Sequence, residues 1–338
     1  CDGPGAHVNK AASDDDDWFI DSAESAGVQF LHQTSGRTNH FMPASLGSGV
    51  AMFDHDRDGL LDLYFLQNAG PGSEAKNQLF RQLTGGRFEN VSSGSGLYVA
   101  GFGMGVAVGD MNNDGWSDVV ISEYGAIRAF HNKGDGMFVE LGPETVLVNP
   151  QWGTSMSFLD FDRDGWLDLV VGNYVQYAED FRCNDANGNV QFCGPNSFTP
   201  SVSRLFRNLG VGGEDGVFRF EDVTVRSGLA KSSGPTLGVV CADFDGDHWV
   251  DIFFAEDGDA NRLWINQKDG TFREVGLMSG TSVNSLGAPE GSMGLAVGDL
   301  DGNGYPDIFT TNVRRESNTL YLGAEGLNFS DGTALVGL

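Results

Sequence analysis

The sequence predicts an all-β chain, a β-propeller of four-stranded blades, and three observations carry that expectation. A nine-residue acidic phrase occurs five times, starting at Asp54, Asp110, Asp160, Asp243 and Asp299. Each copy stands between apolar, strand-like runs, as Val50-Ala51-Met52-Phe53 and Leu63-Tyr64-Phe65-Leu66 flank the first. The same order of short segments returns around each copy, with loop starts spaced 56, 50, 83 and 56 residues apart. One four-stranded sheet cannot cover both its faces, whereas sheets stacked around an axis cover one another.

The phrases read DHDRDGLLD, DMNNDGWSD, DFDRDGWLD, DFDGDHWVD and DLDGNGYPD. Positions 1, 3, 5 and 9 carry short oxygen side chains: Asp54, Asp56, Asp58 and Asp62, then Asp110, Asn112, Asp114 and Asp118. The later copies give Asp160, Asp162, Asp164 and Asp168, Asp243, Asp245, Asp247 and Asp251, and Asp299, Asp301, Asn303 and Asp307. Alternate oxygen ligands on a tight loop converge on one point. That suits a hard cation taking six to eight oxygens at about 2.3–2.6 Å, which is calcium; magnesium keeps several waters and seldom has an all-protein cage. An EF-hand is excluded: position 12 holds Phe65, Ile121, Val171, Phe254 and Thr310 instead of Glu, and the flanks are strands. A single Asp-Gly turn would read as an ordinary hairpin turn. Five in matching register read as about five calcium loops.

Each unit opens on a small residue five places before the loop: Gly49, Gly105, Ser155, Gly238 and Gly294. A side chain that small at one fixed place marks a close approach of backbones, which in a radial array is the axis. A second apolar strand follows the loop. A third begins with a polar residue before Leu-aromatic, at Asn77-Gln78-Leu79-Phe80, Ser203-Arg204-Leu205-Phe206, Asn261-Arg262-Leu263-Trp264 and Asn318-Thr319-Leu320-Tyr321, and more loosely at Ile127-Arg128-Ala129-Phe130. A Gly-led turn and a fourth strand close the unit, at Gly86, Gly136, Gly216, Gly270 and Gly326. The repeats run over about 46–97, 98–147, 148–229, 234–285 and 286–335, within a propeller of 18–338. The third holds an insertion at 176–202, where Cys183 and Cys193 read as a disulfide closing a polar surface loop. Half of a zinc site is the alternative, with no nearby Cys or His to complete it. The disulfide implies an oxidising compartment. Cys241 reads as a buried thiol.

Acids outnumber Lys and Arg 47 to 20, a formal charge of −27, and 18 of the acids lie in the five loops. Five calcium ions would add 5 × 2 = +10 and leave −17. The balance excludes nucleic acid as a partner and disfavours direct attraction to anionic lipid. No apolar run is long enough for a transmembrane helix. Residues 1–17 read as a polar tether. Cys1 resembles the lipid-anchored first residue of a mature bacterial lipoprotein; a free or disulfide-bonded cysteine fits as well.

These motifs together resemble the FG-GAP/VCBS repeat family of calcium-binding β-propellers, and within it the propeller part of ASPIC/UnbV-type secreted proteins. The resemblance covers about residues 18–335 and rests on Phe19-Ile20-Asp21 through Gly27-Val28-Gln29-Phe30-Leu31-His32, on loops such as FDHDRDGLLDLYF, and on Cys183-x9-Cys193-Gly-Pro. It implies calcium as the loop ion, with a carbonyl at position 7 added to the side-chain ligands: Leu60, Trp116, Trp166, Trp249 and Tyr305. His248 departs from the family's Gly at position 6. No ASPIC/UnbV module fits before Leu338, so its role is not carried over.

Residues 18–28 look like a sixth copy of the fourth strand, and 18–45 is expected to be a surplus strand or partial blade. No GxSxG, HExxH, P-loop or CxxC is present, and the six histidines have no triad spacing. The leading expectation is a secreted or cell-surface, non-catalytic structural or interaction module that binds a protein or glycan partner. One alternative is a self-assembling subunit joined to copies of itself by strand addition through the N-terminal segment. The other is a carbohydrate-active enzyme on a propeller scaffold.

Overall fold

Blade one shows how the sequence pattern becomes structure in this computed structural model, which describes residues 19–37, 40–211 and 218–337. The tether, Cys1 and the Gly216 turn lie outside the described residues. Strand β1 (Val50–Phe53) runs into the first acidic loop and returns as β2 (Asp62–Phe65), with Phe53 opposite Asp62. Strands β3 (Gln78–Leu83) and β4 (Arg87–Asn90) continue the antiparallel meander outward. Asn77 accepts the Gln67 amide at 2.8 Å and Asn261 accepts that of Glu256 at 2.9 Å. The polar residue ahead of Leu-aromatic therefore closes the turn into the third strand, while Leu79, Leu205 and Leu263 are fully buried behind it.

The same meander recurs. Blade two is β5 (Gly103–Gly109), β6 (Asp118–Glu123), β7 (Ala126–Asn132) and β8 (Phe138–Glu140). Blade three is β9 (Gly153–Leu159) and β10 (Asp168–Asn173), then the hairpin β11 (Cys183–Asn184) and β12 (Val190–Gln191), then β13 (Arg204–Val211) and β14 (Phe218–Asp222). Blade four is β15 (Thr236–Ala242), β16 (Asp251–Asp259), β17 (Arg262–Asn266) and β18 (Phe272–Glu274), with β19 (Glu290–Gly291) on the extended end of β16. Blade five is β20 (Leu295–Gly298), β21 (Asp307–Thr310), β22 (Thr319–Ala324) and β23 (Asn328–Asp331). Cys183 and Cys193 form the expected disulfide, Cα to Cα 5.3 Å, beside the inserted hairpin.

The core is divided among the junctions between blades. Phe53, Tyr64 and Leu66 of blade one pack against Val119, Ile121 and Phe138 of blade two. Three further clusters join blades two to three, three to four and four to five. Cys241 belongs to the third junction, half-buried, with its thiol pushed up to about 12 by its apolar surroundings. The small residues at the strand starts lie where expected. A Cβ on Gly49 would stand 2.9 Å from the Met104 carbonyl, one on Gly105 2.8 Å from that of Thr154, and one on Gly238 2.9 Å from that of Met293. Ser155 uses its hydroxyl there, accepting the Val239 amide at 3.1 Å.

Four short helices follow outer strands or their counterpart: α1 (Ala23–Ala26), α2 (Thr224–Ser227), α3 (Gly276–Ser279) and α4 (Thr333–Val336). The sixth copy of the outer-strand sequence, Phe19–Ser22, lies outside any sheet and leads into α1. Opposite the loops, Phe41, Phe102, Trp152 and Tyr174 form a closed aromatic cluster with Tyr124 and Tyr177.

Candidate metal centre

All five acidic phrases occupy the turn between the first and second strand of a blade. The first Asp organises each turn. Asp54 accepts the amides of Asp58 and Gly59 at 3.1 and 2.9 Å. Asp110, Asp160, Asp243 and Asp299 each accept the corresponding pair. The position-5 side chain then accepts the position-7 amide, as Asp58 does from Leu60 at 2.9 Å and Asn303 from Tyr305 at 2.8 Å. Position 6 must be left-handed to allow this wrapping: φ is 87° at Gly59 and 71° at His248. His248 thus adopts the glycine conformation with its ring exposed, a conformation that costs an L residue roughly 1 kcal/mol or more.

The turns bring the candidate ligands together. One carboxylate oxygen from each of Asp54, Asp56 and Asp58 lies within 4.8 Å of the others. The same holds for Asp160, Asp162 and Asp168, for Asp243, Asp245 and Asp251, and for Asp299, Asp301 and Asp307. Loop two has Asn112 at position 3, with its amide nitrogen 2.9 Å from Asp114. The position-9 carboxylates are fully buried. Each accepts the position-2 amide on one oxygen, from His55, Met111, Phe161, Phe244 or Leu300, at 2.7–3.1 Å. The other oxygen accepts a third-strand amide, from Gln82, Asn132, Asn208, Asn266 or Gly323, at 2.7–2.8 Å.

The electrostatics of these groups call for positive charge. Burial pushes Asp118 up to about 6, Asp168 to about 8 and Asp251 to about 7. Asp62 behaves differently: burial raises it, but the His55 ring and the amides of His55 and Gln82 outweigh that and hold it below the usual range. Oδ1 of Asp56 and Oδ1 of Asp162 are buried without a hydrogen-bond partner. An orphaned carboxylate oxygen is costly, and a hard cation among such oxygens would satisfy it, so the residues fit calcium.

Several contributors were not singled out from the sequence. Arg81 spans Asp56 and Asp58 at 2.7 and 2.8 Å, and Arg207 spans Asp162 and Asp164 at 2.6 and 2.7 Å. Lys268 reaches Asp247 at 2.9 Å and His131 reaches Asp118 at 3.0 Å. Asn132, Asn208 and Asn266 donate from Nδ2 to the position-2 carbonyl of the preceding blade's loop, at 2.8–2.9 Å. The signal was an aromatic, a basic residue and an amide in succession: Phe80-Arg81-Gln82, Phe130-His131-Asn132 and Phe206-Arg207-Asn208. Position 4 links neighbouring loops. Arg57 stacks on Trp116 at 5.1 Å, Asn113 donates to the Gly165 carbonyl at 2.9 Å, and Arg163 stacks on Trp249 at 4.5 Å while donating to the His248 carbonyl. One histidine does meet a hydroxyl, His32 Nε2 to Ser48 Oγ at 2.9 Å, but that hydroxyl donates to the Gly103 carbonyl at 2.8 Å.

A fold of repeated four-stranded blades, each with an acidic loop between its first two strands, defines a repeat protein of the FG-GAP class. The chain belongs to the FG-GAP-like repeat family, whose repeat matches residues 54–121, 110–171 and 243–310. It is similar to cartilage acidic protein 1 of Homo sapiens, 30% identical over 301 residues, and of Xenopus tropicalis, 28% identical over 300 residues. Each alignment covers 83% of this chain but only 40% and 41% of the relative, so the chain spans about two-fifths of the relatives' length. Among solved structures it is similar to an Agrocybe aegerita lectin recognising non-reducing terminal N-acetylglucosamine (TM-score 0.43, 18% identity, 83% of this chain and 64% of that one). It is also similar to a Bacillus licheniformis rhamnogalacturonan lyase (TM-score 0.41, 13% identity, 89% and 53%).

Proposed function

We propose that the chain is an extracellular calcium-binding propeller acting as a non-catalytic structural or interaction module. Its five loops would each hold one ion through the side chains at positions 1, 3, 5 and 9. The carbonyls of Leu60, Trp116, Trp166, Trp249 and Tyr305 complete each set. The observation that carries the reading is the buried, unpartnered Oδ1 of Asp56 and of Asp162, each in a turn of converging carboxylates. Bound calcium supplies a divalent charge that neutralises clustered carboxylates and completes their coordination. The chain's own residues do the rest. Asp54 and its equivalents fold the turn, the buried position-9 carboxylates anchor it to the third strand, and the third-strand asparagines tie it to the next blade.

The disulfide at Cys183–Cys193 supports an oxidising, secreted or cell-surface setting. No helix among the described residues is long and apolar enough to cross a membrane. A protein or glycan is the partner class this reading favours.

Terbium or calcium titration by luminescence or calorimetry tests the reading, paired with melts in calcium and in excess EGTA. About five ions per chain are expected, and binding at 100-fold saturation adds roughly 2.7 kcal/mol per site. Identical melts with and without the chelator would remove the structural role of the ion.

A further inference from the structure

A cavity of about 440 Å³ lies between the turn that follows α2 of blade three and the β17–β18 hairpin of blade four. That volume is within the range of small-molecule sites. Trp264 of β17 lines it and is only 3% exposed, and its Nε1 is buried with no hydrogen-bond partner. The same place on the third strand holds Phe80, Phe130 and Phe206 in blades one to three. In blade five it holds Tyr321, whose hydroxyl accepts the Asn261 amide at 3.4 Å. Packing alone is therefore served by a phenyl ring here. Blade four instead buries an indole N–H, a group that can only donate and that the protein leaves unanswered.

The other polar groups used here fall into two kinds. Lys231 and Ser232 are donors. Lys231 has no ion pair among the described residues, in a chain where acids outnumber Lys and Arg 47 to 20. Ser232 Oγ accepts Arg262 Nε at 2.8 Å, and Arg262 is itself held by Glu256 at 2.6 Å. The Ser232 oxygen is thereby fixed while its proton stays free to donate. Glu274, Gln267 and Thr271 are acceptors. Glu274 accepts the Gly276 amide on Oε1 at 2.7 Å and keeps its other oxygen. Gln267 donates Nε2 to the Ile265 carbonyl at 2.9 Å, which leaves its Oε1, and Thr271 donates its hydroxyl to Asp269 at 2.6 Å, which leaves that oxygen's lone pairs.

We propose that this cavity binds a hydroxylated carboxylate of one-ring size, a sugar acid. Its carboxylate is met by Lys231, Ser232 and Trp264, and its hydroxyls donate to Glu274, Gln267 and Thr271. The pairing of donors with acceptors selects this class. A simple anion leaves the acceptors unanswered, and a neutral sugar leaves the Lys231 charge unanswered. The net charge of −27 opposes an anion at long range, but at physiological salt that field decays over about 8 Å, so the local donors decide. The assignment rests on the extracellular binding role proposed above and narrows its glycan partner to an acidic sugar, independently of the ions in the loops.

Calorimetric titration with D-glucuronate in saturating calcium tests the site, with D-glucose and acetate as the two half-ligands and heats corrected for glucuronate added to the calcium buffer. Glucuronate should bind at least tenfold more tightly than either. No binding at millimolar glucuronate, or acetate or glucose binding equally well, would overturn the proposal. Trp264→Phe, which installs the residue of blades one to three, should weaken glucuronate at least fivefold without lowering the melting temperature. Lys231→Gln should weaken it as much, while Arg87→Gln, which removes an exposed charge on blade one, should leave it unchanged. A Trp264→Phe protein that melts lower yet binds glucuronate as before would assign the indole to packing and sink the site. A uronate trisaccharide separates the sources: tighter binding than the monomer supports the site as one for a glycan chain, equal binding as one for a free sugar acid. Calcium is read separately from the melts in calcium and EGTA, so a calcium-loaded protein that ignores glucuronate overturns this site and leaves the loops standing.

Discussion

Replacing Asn208 by Ala measures how far the loops are held by the blade that follows them. Asn208 is fully buried on β13 and serves two blades. Its Nδ2 donates to the Met111 carbonyl in loop two at 2.8 Å and to the Leu167 carbonyl in its own loop at 3.1 Å, and its Oδ1 accepts the Gly210 amide at 2.9 Å. Truncation keeps the backbone bond to Asp168 but strands the Met111 carbonyl and the Gly210 amide. A buried polar group left unsatisfied costs about 1–3 kcal/mol, so two of them should cost about 2–6 kcal/mol. At about 2 °C per kcal/mol for a chain of this size, the melting midpoint falls by roughly 4–12 °C. Gln82 is the internal control. It stands at the same place on β3, but its side chain accepts only the Leu61 amide of its own loop, at 3.0 Å. Gln82→Ala should cost less than about 1 kcal/mol. Urea and thermal unfolding of both variants in saturating calcium decide the matter. An Asn208→Ala protein within about 0.5 kcal/mol of the parent, or equal losses in the two variants, would refute the claim that these asparagines clamp the preceding loop.

Three further outcomes follow from the same geometry. His248→Gly should stabilise the protein by about 1 kcal/mol, because φ of 71° is strained for histidine and its exposed ring is bonded only loosely to Asp243 at 3.6 Å; a destabilised variant in urea unfolding would count against it. Arg163→Ala removes the stack on Trp249 and the bond to the His248 carbonyl, so calcium affinity at loop four should fall about two- to fivefold, the equivalent of about 0.5–1 kcal/mol; unchanged isotherms would show that the loops bind independently. In EGTA, stability should fall as pH rises. Burial raises Asp118, Asp168 and Asp251 to about 6, 8 and 7, so the folded state holds protons that the unfolded state has already lost. Their contribution is complete below about pH 4 and lost as pH climbs through 6–8. A chelated protein whose melting temperature is flat from pH 5.5 to 8 would contradict it.

The fold was legible because its repeat is written in residues whose chemistry admits few alternatives. Asp at alternate places forces a tight acidic turn, and Leu-aromatic after a polar residue marks a strand whose Leu is buried. The side chains at positions 1, 3, 5 and 9 could be named for the same reason, and the structure converges three of them in each of four loops. The close approach of one blade to the next at Gly49, Gly105 and Gly238 was legible too; what escaped was the side-chain hydrogen bonding that joins one repeat to another. Asn132, Asn208 and Asn266 sit in third strands as ordinary polar residues, and only the stacking of blades brings their Nδ2 to a carbonyl 77 to 105 residues away. Arg81 and Arg207 escaped likewise, because an Arg facing outward on an edge-side strand reads as solvated surface until the strand is laid beside the loop.

Those inter-repeat contacts also explain why arginine alone is an incomplete answer to the acidic loops. A guanidinium spans positions 3 and 5 in loops one and three, yet it leaves Oδ1 of Asp56 and of Asp162 without a hydrogen bond. Loop four has a single lysine contact, at position 5, and loop five has no ion pair among the described residues. The position-9 carboxylate stays buried in all five, with amides on both oxygens and no guanidinium within reach of it. In loops one and three Arg81 and Arg207 reach in from the third strand and hold Oδ2 of positions 3 and 5, so the orphaned position-3 Oδ1 is the oxygen the guanidinium does not serve. The small, doubly charged cation proposed for these loops, content with many oxygen neighbours, would reach those oxygens where a guanidinium does not.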